Sequence, residues 1–123
     1  MSTVVSTDQK DDVTIVKLGR HDAGDRVVRQ LYEKVSQEIE AGHRLFILDL
    51  SELGHFDSTI LGELVRVVTL ILRYEGKIAL LPLRTEPENT IRATRLSELF
   101  VRANTVDEAI QLLKSSNPTA PGP

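Results

Sequence analysis

Hydrophobic residues along the chain switch between two rhythms. Val13 to Leu18 reads Val-Thr-Ile-Val-Lys-Leu, β-branched and partly alternating, which predicts a strand. Thr3 to Ser6 is a candidate short partner strand, with the polar Thr7 to Asp12 as the turn between them. From Asp25 to about Ala41 the rhythm becomes helical. Val27, Val28, Leu31, Tyr32, Val35 and Ile39 recur on one face, and Gly42 supplies a stop. Leu45 to Leu50 is short and almost wholly apolar, the pattern of a strand covered on both faces. A loop, Ser51 to Phe56, leads into a strongly apolar helix from Asp57-Ser58-Thr59 to about Tyr74, with Gly76 as its stop. Lys77 to Leu83 repeats the buried-strand pattern. Pro87 suits a first helical turn running to Arg95, and Leu99 to Arg102 suits a last short strand. Thr105 caps a final helix, Val106 to Lys114. Strands alternating with helices predict an α/β domain over residues 1–114. Residues 115–123 hold three prolines, a glycine and no large apolar side chain, which predicts a disordered tail.

The second helix carries more apolar residues than one buried face requires. At about 100° per residue, Leu61, Leu64, Val65, Val68, Ile71 and Leu72 form one broad face. Gly62, Glu63, Arg66, Thr69 and Arg73 lie opposite. Val67, Leu70 and Tyr74 fall near Glu63, off the main face. This second strip is either additional core or an exposed partner-binding surface that begins beside Ser58.

Composition narrows the classes. The 123 residues fit one domain, and the absence of cysteine excludes disulfides, thiolate metal sites and a cysteine nucleophile. Residues 1–57 carry 7 basic and 11 acidic side chains, and residues 58–123 carry 8 and 7. Neither half offers a basic footprint for nucleic acid, and aromatics at 4% supply little base stacking. No apolar run reaches the ~20 residues of a membrane span, and the polar Met1 to Asp12 does not read as a secretory signal. A soluble, cytoplasmic protein is expected, without metal or cofactor.

The residues suggest little catalysis. His21, His43 and His55 lack metal-ligand spacing. His55, Asp57 and Ser58 supply the side-chain types of a hydrolase triad, but chain neighbours point apart rather than relaying a proton. Arg92, Arg95 and Arg102 read as a solvated basic face. Asp57-Ser58-Thr59 is the most informative stretch. A helix cap needs one short oxygen-bearing side chain, so three in a row leave a hydroxyl for another use.

Leu45-Phe46-Ile47-Leu48-Asp49-Leu50-Ser51, Phe56-Asp57-Ser58-Thr59 and Leu61-Gly62-Glu63-Leu64 together resemble the STAS domain of anti-sigma-factor antagonists. Gly76 to Leu81, Thr94, Leu96, Phe100 and Asp107-Glu108-Ala109 extend the resemblance over about residues 12 to 114. It implies a mixed sheet of four to five strands with about four helices packed on it. It also implies a non-enzymatic partner switch. Such proteins bind an anti-sigma-factor serine/threonine kinase, which phosphorylates the serine after the motif aspartate, and a serine phosphatase restores binding. The matching residue is Ser58, with Thr59 as a second candidate acceptor and Asp57 as the helix cap. Helix geometry adds Gly62, Glu63, Arg66, Val67 and Leu70 as partner-surface candidates. The family pattern has glycine where Ile60 and Arg95 stand. Ile60, two residues from Ser58, would alter that surface. Stressosome-type relatives resemble the chain there, so a constitutive scaffold that assembles with other STAS proteins is the alternative.

Overall fold

The structure, a computed structural model, describes residues 5–18, 25–53 and 58–115, without the side chains of 25–29. Strand β1 (Val5–Lys10) pairs antiparallel with β2 (Val13–Leu18). Helix α1 (Asp25–Glu40) leads to β3 (Leu45–Asp49), and helix α2 (Ser58–Arg73) to β4 (Lys77–Leu80). Then come α3 (Thr85–Arg92), a 3-10 turn (Arg95–Leu99), β5 (Val101–Arg102) and α4 (Val106–Lys114). The five strands lie in chain order, and β2 to β5 run parallel. The expected α/β domain with a mixed sheet and four helices is therefore what forms.

Alternation along the strands explains why two helical layers are needed. In β3, Phe46 and Leu48 face one core while Ile47 faces the other, and all three are fully buried. The larger core joins the sheet to α1, α2, α3 and the 3-10 turn. The smaller core joins Val13, Ile47, Ala79 and Ala103 to Ala109, Ile110 and Leu113 of α4. Thr105 Oγ1 accepts from the Glu108 backbone N–H at 3.1 Å, the expected cap of α4.

Several boundaries differ from expectation. Thr7 to Lys10, expected in the turn, belongs to β1. Thr7 sits opposite Val16, and Gln9 shares a 3.1 Å hydrogen bond with Thr14, so cross-strand pairing outweighs polar composition. The turn is only Asp11-Asp12, both at positive φ (53° and 68°), as a two-residue hairpin requires. Strand β4 stops at Leu80, before Pro82. Helix α3 ends at Arg92, because Thr94 caps the next turn by accepting from Leu96 N–H.

The end of α2 also departs from expectation. Gly76 N–H bonds back to Ile71 C=O and Glu75 N–H to Leu72 C=O, so Glu75 is the left-handed residue, with φ at 65°. Gly76 meets a different need. A Cβ there would stand 2.5 Å from the Arg44 carbonyl oxygen and 2.8 Å from an Ile71 methyl. The predicted tail lies outside the described residues, apart from Ser115.

Candidate functional site

The parallel strands end together, and polar groups gather at that edge. After β3, Asp49 Oδ1 accepts from the Ser51 hydroxyl at 2.6 Å and from its N–H at 3.1 Å, which fixes the exit turn. Lys17, near the end of β2, faces Glu52 at 3.7 Å. Arg84, beyond β4, donates to the Ser51 carbonyl. Buried Leu53 then anchors the loop. Asp57, the expected helix cap, lies outside the described residues. Ser58 and Thr59 open α2, and both are exposed. The partial positive charge of a helix N-terminus favours an anion at this position, by ~0.3–1 kcal/mol.

The buried face of α2 is rotated from the expected one. It is formed by Ile60, Leu64, Val67, Val68 and Ile71. Helix α1 packs on the flank of α2 that carries Leu70, which draws Val67 inward. Val65 and Leu72, expected in the core, are instead 44% and 43% exposed. Ile60 (4% exposed) and Val67 are core residues and cannot present side chains to a partner in this fold. Gly62 and Arg66 are exposed, and Glu63 and Leu70 are half-buried. Ile60 is turned into the core, whereas Ser58 lies on the exposed side of α2.

Ser58, Gly62, Val65, Thr69 and Leu72 now fall in one exposed line at alternating four- and three-residue steps. That spacing was present in the sequence, but it could not be separated from the core pattern until α1 had a place. Beside the line runs a shallow groove of about 190 Å³, lined by Tyr32, Val65, Arg66, Thr69, Leu70 and Arg73. Arg66 binds Glu63 at 2.8 Å and stacks over the Tyr32 ring at 4.5 Å.

Of the late arginines, Arg95 is exposed as expected, but Arg92 and Arg102 converge on one carboxylate. Glu88 of α3 accepts two hydrogen bonds from Arg102 (2.9 and 3.0 Å) and one from Arg92 (2.9 Å). The Leu83 N–H adds a longer contact. The Arg102 bonds, foremost, hold the Glu88 carboxyl down at about 2, against an ordinary 4.5. Glu88 was not legible as the partner of Arg102, because the two are fourteen residues apart in sequence, whereas its spacing to Arg92 is the ordinary four-residue step of a helix. The cluster borders a hollow of about 440 Å³ beyond the ends of β4 and β5.

The family model described as STAS domain matches residues 5–109. A sequence comparison with curated proteins finds no significant match. Among solved structures, the fold is similar to an anti-sigma-factor antagonist (STAS) domain protein from Planctomyces limnophilus. The identity is 19%, over 90% of this chain and 98% of that one, with a TM-score of 0.76. It is also similar to Moorella thermoacetica RsbS carrying a serine-to-glutamate substitution (18%, over 91% and 96%, TM-score 0.72). A third similar structure is the Bacillus cell fate determinant SpoIIAA in its phosphorylated form (19%, over 89% and 99%, TM-score 0.68). At these identities the likeness carries the fold, while the family model spans most of the sequence: the chain belongs to the STAS domain family.

Proposed function

We propose that this protein is an anti-sigma-factor antagonist that works as a phosphorylation-controlled partner switch. It binds an anti-sigma-factor serine/threonine kinase while Ser58 carries a free hydroxyl. The kinase transfers the terminal phosphoryl group of a nucleoside triphosphate to Ser58 Oγ. The hydroxyl proton and the nucleoside diphosphate leave. A serine phosphatase hydrolyses the ester and restores binding. Thr59, also exposed, is the secondary acceptor. The observation that carries this reading is the exposure of Ser58 at the head of α2, in line with an exposed helix face.

Phosphorylation adds about −1.5 to −2 charges and three acceptor oxygens. The N-terminus of α2 accommodates that charge, so the fold persists. A partner surface shaped for a neutral hydroxyl would meet a doubly charged group and lose affinity, tenfold for each ~1.4 kcal/mol. Gly62, Glu63, Arg66 and Leu70 remain in the proposed contact surface. Ile60 and Val67 support it from beneath.

The test compares Ser58→Ala and Ser58→Asp for binding to an anti-sigma-factor kinase from the same genome. Retention by Ala and loss by Asp supports the switch. Equal binding by both refutes it and favours a constitutive scaffold.

A further inference from the structure

The exposed face of α2 has a chemistry of its own. It joins two bare aliphatic side chains, Val65 and Leu72, to two arginines, Arg66 and Arg73, and none of its exposed positions is acidic. On a chain with net charge −3, such a basic and apolar strip is a local reversal. Arg66 is held in place by Glu63 and Tyr32 yet remains 59% exposed. Arg73 has no ion-pair partner among the described residues. Small Gly62 and Thr69 alternate with the aliphatic pair along the line, so another backbone can approach closely. Apart from its chain neighbours and the backbone of α2 itself, no described atom would lie within 4 Å of a Cβ at Gly62.

We infer that this face, with the groove bordered by Tyr32 and Leu70, is a docking site for an acidic amphipathic helix of a partner protein. Its apolar stripe would lie along Gly62, Val65, Thr69 and Leu72, and its carboxylates would meet Arg66 and Arg73. From Ser58 to Leu72 the line is about 21 Å long, at 1.5 Å per residue, enough for about four helical turns. A second copy of this chain fits less well. Antiparallel two-fold pairing centred between Thr69 and Leu70 would set Arg66 of each copy against Arg73 of the other. The proposal deepens the partner-switch reading and rests on it for the role of Ser58. A phosphate at the head of the line would repel an acidic helix directly.

The test uses the full chain and two synthetic peptides, each stapled to remain helical. One has leucines at alternating three- and four-residue spacing flanked by glutamates. The other has lysine at every glutamate. In an amide NMR titration the acidic peptide is expected to shift Val65, Arg66, Thr69, Leu72 and Arg73. The lysine peptide is expected to bind about tenfold or more weakly, with the preference fading as salt rises. Arg73→Glu, which breaks no described contact, should reduce the preference, and Arg66→Glu/Arg73→Glu should reverse it. Equal binding of both peptides, shifts centred elsewhere, or a dimer dissolved by Leu72→Asp would overturn the proposal. With the kinase as ligand, the two readings separate. Release by Ser58→Asp but not by the double arginine reversal leaves the switch and removes the groove. An intact peptide preference with no effect of Ser58→Asp leaves the groove and removes the switch.

Discussion

Glu88→Gln is the sharpest test of what holds the end of the sheet together. The change keeps the side-chain shape and removes the charge on which Arg102 and Arg92 converge. Moving a carboxyl from 4.5 to about 2, at about 1.4 kcal/mol per pH unit, corresponds to roughly 3 kcal/mol. The net value is smaller. Glu88 is 17% exposed, but Arg102 is 33% exposed and Arg92 lies mostly in water, so solvent screens part of the attraction. A loss of about 1–2 kcal/mol at neutral pH is expected. The sign follows from linkage. The folded-state pKa is depressed, so the stabilisation is complete above the unfolded value near 4.5. It is lost as pH falls towards about 2. Urea unfolding of both proteins at pH 7, 4 and 3 should show a gap that is widest at pH 7 and narrows in acid. A gap that stays constant over this range, or one below about 0.3 kcal/mol at pH 7, would refute the charge argument and leave Glu88 as a packing residue.

Further outcomes follow from the rotated face and the helix end. Val67→Ala should cost about 1–3 kcal/mol in denaturant unfolding, because it empties a fully buried site. Val65→Ala, on the exposed face, should stay within about 0.5 kcal/mol; equal costs would mean that α2 packs on the face expected from sequence. Glu75→Gly should raise stability by about 0.5 kcal/mol, because the left-handed φ of 65° burdens any residue with a Cβ. A lower melting temperature would show that Glu75 has a compensating role.

The sequence by itself determined the element types and most of their bounds. Leu45 to Leu48 read as a strand covered on both sides, and Thr105 with Val106, Ala109, Ile110 and Leu113 as a capped amphipathic helix, and both form. These are local facts, set by periodicity and by backbone groups within a few residues. The helix start at Ser58 and Thr59 was likewise legible, because small oxygen-bearing residues ahead of an apolar helical run mark an N-terminus. Tertiary structure decided which face of α2 is buried. Six or more apolar residues spread around one helix permit two orientations, and only the position of α1 selects between them. That choice sent Ile60 and Val67 inward and brought Val65 and Leu72 to the surface. It also decided which residues complete one another's charge. Glu88 meets Arg102 only because α3 and β5 pack side by side, a proximity that sequence spacing does not encode.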